Sequence, residues 1–247
     1  MNSFISWIGG KKMLRKKILE QFPQQDSYTR YIEVFGGAGW MLFAKDRHAS
    51  LEVYNDVNQN LVNLFRCVKY HPEALEKELD WILLSREQFL DAREQIKARG
   101  LTDIQKAARF YILIKESYGT DLDSFGMKNR SLEGAKSGLV RVAERLSTVV
   151  IENVDFGHLI NTYDRKEAFF YLDPPYYDAE KYYPDRFNPE DHERLRGRLL
   201  QLKGRFLLSY NDCQPIRQLY SDFAVIEIDR ANNLGKGRYR ELLIKNY

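Results

Sequence analysis

Cysteine is scarce in this chain of 247 residues: Cys67 and Cys213 are the only two. Two thiols cannot staple a disulfide framework, and no Cys/His spacing suits zinc. His48, His71, His158 and His192 are scattered without metal-ligand spacing. Surface or hydrogen-bonded roles are expected for all four, and no metal site is expected. No apolar run reaches the roughly 18 residues of a membrane span. Lys11, Lys12, Arg15, Lys16 and Lys17 lie near the start and no apolar stretch of signal-peptide type follows them, so a signal peptide is not expected. An excess of one charge is also missing. Lys plus Arg number 38 and Asp plus Glu 35, a net of +3. That balance neither requires nor excludes a polyanionic partner, whose footprint would have to come from local basic clusters. Together these absences point to a cytoplasmic protein in a reducing compartment, with no membrane partner.

Apolar residues make up 44%, and 15 glycines bring the sum to the ordinary globular share. The length suits one large domain, or one domain with an insert. Aromatic residues reach 13%, with 16 Tyr, which serve either as core or as platforms for flat ligands. Tyr31–Phe35 predicts a buried strand, followed by Gly36-Gly37-Ala38-Gly39 and a helix-like stretch over Trp40–Arg47. Leu51–Tyr54 predicts a second strand and Asn60–Tyr70 a helix. From His71 to about Ser117 only helical spacing recurs. A polar stretch follows, then a short helix over Leu139–Leu146. Strands are predicted at Val149–Glu152, Ala168–Leu172, Arg205–Tyr210, Phe223–Ile228 and Glu241–Lys245. Helices are predicted at Pro189–Leu202 and Gln214–Tyr220. Six or seven strands joined mostly through helices predict an α/β fold. Its core would be a doubly wound, mostly parallel sheet, with ligands at the carboxyl ends of the strands. Residues 1–60 and 149–247 would form this domain. Residues 61–148 would form a helical insert with a loop or hairpin near 119–138.

Three segments carry chemistry. Asp173-Pro174-Pro175-Tyr176 directly follows an apolar strand. The two prolines donate no backbone hydrogen bond and stop the strand. Asp173 offers a carboxylate, Pro174 a carbonyl and Tyr176 a ring face. Two acceptors beside a flat surface suit a planar group bearing an NH₂. The bland alternative is a Pro-rich turn with a capping Asp. The second segment is Phe35-Gly36-Gly37-Ala38-Gly39, where glycines let the backbone approach a ligand. Asp56 ends the next strand and is placed to accept both hydroxyls of a ribose; a plain strand-to-helix turn is the alternative. The third is Trp7-Ile8-Gly9-Gly10-Lys11, a weak signal by itself because a lysine there is as easily solvated. No GxxxxGK[ST] loop occurs, which argues against a phosphate-binding nucleotide enzyme.

In this order, WIGGK, FGGAG, YND, Val154-Asp155-Phe156 and DPPY resemble the Dam-type DNA adenine N6-methyltransferases. Within that D12 class they resemble the alpha group, in which the WxGGK segment comes first. Phe206–Asp212, and Arg240–Ile244 with Asn246-Tyr247, resemble the family's later strands. The resemblance covers nearly the whole chain and is weakest between about His71 and Gly138. It implies a Rossmann-like methyltransferase fold with the helical insert as target-recognition domain. It also implies S-adenosylmethionine as methyl donor and double-stranded DNA as substrate. Trp7, Gly9, Lys11, Phe35, Gly36, Gly37 and Gly39 would bound the donor pocket. Asp56 would bind the donor ribose, and Asp155 with Phe156 the donor adenine. Asp173, Pro174, Pro175 and Tyr176 would form the catalytic segment around a flipped-out adenine. Lys128, Asn129, Arg130, Lys136 and Arg141, together with Arg230, Lys236, Arg238 and Arg240, form two basic clusters suited to DNA. Arg130 and Asn129 are candidates for reading base edges. Here the chain departs from the GATC-methylating members. Their longer Arg/Asn-rich hairpin is replaced by the compact Asp121–Ser131, so GATC specificity is not carried over. Cytosine N4, RNA, or a silent DNA-binding module remain the competing readings. A paired restriction endonuclease, an orphan role and a phage-borne role are equally compatible, and a monomer is favoured.

Overall fold

The computed structural model describes residues 1–83, 85–126, 138–179, 187–231 and 238–247, with the backbone only at 230–231 and 238–239. Seven strands form one sheet: β1 (Arg30–Glu33), β2 (Leu51–Asn55), β3 (Val149–Glu152), β4 (Ala168–Leu172), β5 (Arg205–Asn211), β6 (Ala224–Ala231) and β7 (Arg238–Lys245). Their order is β3-β2-β1-β4-β5-β7-β6. The first five strands are mutually parallel, with Arg30 beside both Leu51 and Ala168, Glu52 beside Val149 and Phe169 beside Arg205. β7 runs antiparallel between β5 and β6. The chain leaves β1 toward β2 and later returns to β4 on β1's other side. That reversal opens a crevice at the carboxyl ends of β1 and β4.

Every residue of β4 is buried, as a parallel strand covered on both faces requires. Its side chains alternate between two cores. Phe169 and Tyr171 join the cluster that also holds Leu61, Phe65, Ala107, Phe110 and Leu146. Phe170 and Leu172 join the cluster with Leu159, Leu195, Leu208 and Ile216. On the first face lie α1 (Arg15–Leu19), α2 (Gln59–Tyr70), α3 (Pro72–Asp80), α5 (Asp103–Glu116) and α6 (Leu139–Leu146), with α4 (Arg86–Gln95) packed on α5. The other face carries α7 (Phe156–Tyr163), α8 (Pro189–Leu200) and α9 (Gln214–Leu219). One apolar core therefore runs without a break from the sheet into the helical block. Among the described residues, no helix is long and apolar enough to cross a membrane.

The caps follow the sequence. Asn58 accepts from the N–H groups of Asn60 and Leu61 at the start of α2, and Thr102 and Gln105 form a reciprocal capping box on α5. Arg145 of α6 docks the helical block onto the sheet. It is 7% exposed and holds Glu52 of β2 through two bonds of 2.9 and 2.7 Å.

Two local expectations change. Trp40–Arg47 forms only a 3₁₀ turn over Leu42–Ala44. Its carbonyls are engaged by groups from elsewhere in the fold. Those of Leu42 and Lys45 accept from Arg145, that of Phe43 accepts from the N-terminal ammonium, and that of Met41 meets His48 Nε2 at 2.7 Å. A backbone satisfied this way need not form i→i+4 bonds. Conversely, α1 and α7 form where no helix was expected. Each is short, so periodicity alone carried little signal.

Candidate active site

The carboxyl ends of β1, β2 and β4, together with the N-terminal segment, surround one cavity of about 240 Å³. Glu33 ends β1, and Phe35, Gly36 and Gly37 follow it. Asp56 follows β2, and Asp173, Pro174, Pro175 and Tyr176 follow β4. Trp7, Gly9, Gly10 and Lys11 close the other side. Gly37 has a positive φ of 49°, which favours glycine, and a Cβ there would lie 3.0 Å from the Trp7 ring. At Gly36 a Cβ would lie 2.3 Å from the Tyr54 ring. The turn is held from β2: Asp56 Oδ2 accepts from the Gly37 N–H at 2.9 Å, and the Tyr54 hydroxyl donates to the Gly37 carbonyl at 2.6 Å. Asp56 Oδ1 accepts from Asn58 N–H at 2.8 Å. A carboxylate oxygen can accept more than one hydrogen bond.

Lys11 is 4% exposed, and its ammonium lies 2.7 Å from Asp173 Oδ1. It also donates to the Gly9 carbonyl at 3.1 Å and stands 4.7 Å from the centre of the Tyr176 ring. Burial works against the charge on Lys11. The charge of Asp173, with that of Glu241 behind it, more than offsets it and holds the pKa above the ordinary lysine value. Burial likewise raises the Tyr176 phenol above its usual range, against the pull of Lys11, so the ring stays neutral. The Tyr176 hydroxyl lies 3.3 Å from Ser209 Oγ. Glu33, 2% exposed, also faces the cavity. Burial pushes its carboxyl up to about 8, even though the Tyr31 hydroxyl donates to it at 2.8 Å.

Gly39, also with positive φ, packs on Phe43 and lies behind the cavity wall. Asp155 and Phe156 sit one layer away from the cavity. The Phe156 ring packs 5.6 Å from Phe35 and 5.9 Å from Phe187, both of which line the cavity. Asp155 caps α7 through the Gly157 N–H at 2.9 Å, and Arg194 grips it with bonds of 2.8 and 2.7 Å. Arg141 is exposed on α6. Lys128, Asn129, Arg130, Lys136 and Lys236 lie outside the described residues, as do the side chains of Arg230 and Arg238.

Sequence reasoning passed over several participants. Glu33 was visible as the one acid inside the apolar run before the glycine turn. Asn55 is a bracket: it donates to the carbonyls of Val34 at 2.9 Å and Val154 at 3.1 Å, and accepts from Val154 N–H at 3.0 Å. Asn211 holds Tyr177 by both backbone groups, at 3.0 and 3.2 Å. Trp40 and Phe187 line the cavity from loops.

The chain as a whole has counterparts among known proteins. The family model for D12 class N6 adenine-specific DNA methyltransferases matches residues 7–234. The chain belongs to that family. It is 26% identical to the Type II methyltransferase M1.LlaDCHI of Lactococcus lactis subsp. cremoris, over all of this chain and 96% of the relative. It is 27% identical to the Type II methyltransferase M.MjaIII of Methanocaldococcus jannaschii, over 99% of this chain and 98% of the relative. It is 24% identical to the Type II methyltransferase M.CviBI of Paramecium bursaria Chlorella virus NC1A, with both chains covered in full. As a D12 adenine methyltransferase, the chain moves a methyl group from a donor to N6 of adenine in DNA.

Proposed function

We propose that the cavity takes S-adenosylmethionine against the glycine turn and the target adenine against Asp173, Pro174 and Tyr176. The Lys11–Asp173 pair carries this reading. It sets a charged acceptor at the end of β4, beside a neutral aromatic ring and within one cavity with Asp56. The residues fit the donor. Trp7 and Phe35 offer ring surface, Asp56 can accept from ribose hydroxyls, and the glycine turn brings backbone to the cavity wall. When bound, S-adenosylmethionine supplies an electrophilic methyl group on a sulfonium. The protein's own part is to shape the nucleophile. An exocyclic amino nitrogen is weakly nucleophilic because its lone pair is spread into the ring. Donating its two hydrogens to Asp173 and to the Pro174 carbonyl favours a tetrahedral nitrogen with a localised lone pair. Lys11 keeps Asp173 in the acceptor form. Asp173 need not be a strong base, since the proton leaves after charge has developed on nitrogen. Positioning and fixed dipoles supply the rate.

A stacked adenine cannot present N6 in this way, so the base must leave the helix, at a cost of a few kcal/mol. Stacking on Tyr176 returns about 1–3 kcal/mol. Asp155 and Phe156 close the donor-adenine end through Phe35. The helical block is the target-recognition part, where Asn129 and Arg130 read base edges. Arg130→Ala should lower discrimination between sites more than donor binding.

The test is single-molecule sequencing of DNA from cells expressing the chain, with Asp173→Ala as control. N6-methyladenine in one recurring motif, absent in the control, is the expected result. Methylation that persists in the control would overturn the role given to Asp173.

A further inference from the structure

Beside the cavity lies a basic surface that the methyl-transfer site does not use. Leu14 and Ile18 are buried at 4% and 0%, which turns Lys12, Lys16 and Lys17 outward. This turn packs against a wall residue of the cavity. The Lys12 ammonium stands 5.8 Å and the Arg15 guanidinium 5.9 Å from the ring of Trp40, which lines the cavity. It is also joined to the sheet edge, because Lys17 donates to the Asp229 carbonyl of β6 at 2.9 Å. On the β6–β7 pair itself the charges are mixed, since Arg240 lies within ion-pair distance of Glu227 and Asp229.

Several surface arginines are neutralised by a carboxylate at close range. Arg93 is paired with Asp123, Arg194 with Asp155, Arg196 with Asp222 and Arg217 with Asp212. Among the described residues, Lys12, Arg15, Lys16 and Lys17 have no carboxylate partner at ion-pair distance. Inside the cavity, Asp173 is taken by Lys11. Four like charges held close together repel one another, and an external anion would relieve that repulsion. A cationic surface next to a cavity that takes one base matches the polyanionic strand from which that base must come.

We propose that Lys12, Arg15 and Lys16 form a phosphate-contacting surface for the duplex whose adenine enters the cavity, a proposal that rests on reading the cavity as the target-base site. Contacts of this kind set orientation and affinity and carry no sequence information. They should therefore weaken binding uniformly across sequences when removed.

The test measures duplex affinity by fluorescence anisotropy as salt is raised, for the full chain and for Lys12→Gln/Lys16→Gln. Both side chains are exposed, so the fold should tolerate the change, and donor binding by calorimetry should match the wild type. Lys166→Gln/Lys203→Gln serves as control. It removes the same charge from exposed residues near the amino ends of β4 and β5, away from the cavity. The slope of log affinity on log salt changes by about 0.9 for each phosphate contact. The Lys12→Gln/Lys16→Gln variant should flatten it by about 1.8, and the control should leave it unchanged. A Lys12→Gln/Lys16→Gln variant with the wild-type slope, or a control that flattens it equally, would overturn the surface while leaving the methylation reading intact. A wild-type chain that neither binds duplex nor methylates adenine would overturn both.

Discussion

The ammonium of Lys11 lies 2.7 Å from Oδ1 of Asp173, so the WIGGK and DPPY segments meet through an ion pair whose lysine is buried and whose carboxylate is nearly so. Removing one member leaves the other charge buried without its partner, which costs about 3–5 kcal/mol in such settings. Lys11→Met and Asp173→Asn should each lower stability by that order. The double variant should recover much of the loss, because the desolvation cost goes with the charges. Urea denaturation of the four proteins measures the coupling. Losses that simply add would show that the two groups do not depend on each other.

Glu33 and His48 give the fold a defined response to pH. Burial pushes the Glu33 carboxyl from 4.5 up to about 8, and burial pushes the His48 imidazole from 6.5 down to about 3. A carboxyl that stays protonated in the native state stabilises most below 4.5, and that contribution is lost as pH rises to about 8. A histidine kept neutral acts oppositely, and its contribution is lost as pH falls below 6.5 toward 3. Between 4.5 and 6.5 the two slopes oppose each other, so from 6.5 to 8 Glu33 acts alone. Stability should fall there by up to about 1.4 kcal/mol per pH unit. Glu33→Gln should flatten that limb in a series of urea midpoints. A limb of unchanged slope in the variant would assign it to another group.

The strands were the most legible part of the sequence. Val149–Glu152 and Ala168–Leu172 form with the expected bounds, because short apolar runs between polar turns have few other fates. The site was legible where chemistry coincides with a strand end, as at Gly37, Asp56 and Asp173. What stayed hidden depends on long-range partners. Nothing local to Asn55 shows that its carboxamide will tie the ends of β1 and β3 together. Nothing local to Leu42 shows that Arg145 will take its carbonyl in place of a helical N–H.

Asp155 separates a structural duty from a ligand-binding one. Its carboxylate caps α7 and pairs with Arg194, whose guanidinium lies 3.9 Å from the centre of the Phe156 ring. Asp155→Asn keeps a capping oxygen, whereas Asp155→Ala loses it, at a cost of about 0.5–2 kcal/mol. The Ala variant should therefore melt lower than the Asn variant, by about 2–4 °C per kcal/mol. Donor affinity measured on both variants isolates the second duty. A direct contact to the donor adenine predicts weaker binding in Ala and Asn alike, while a purely structural Asp155 predicts a loss in Ala alone.

Asn211 continues a ladder that proline interrupts. β4 and β5 pair in parallel as far as Leu172 and Leu208. Pro174 and Pro175 then offer no N–H. The Asn211 carboxamide resumes the pairing with a single residue, accepting from Tyr177 N–H at 3.0 Å and donating to its carbonyl at 3.2 Å. The segment from Asp173 to Tyr177 is thus fixed at both ends, and the Pro174 carbonyl lies between them. Misplacing a reacting group by about 1 Å can cost on the order of a hundredfold in rate. Asn211→Ala should therefore lower kcat by roughly ten- to a hundredfold while donor affinity holds. Asn211→Asp keeps the acceptor and loses the donor, so it should fall between Ala and wild type. Donor affinity that falls in step with kcat would mean that Asn211 braces the whole cavity. A loss confined to kcat would locate its effect at the loop that grips the target base.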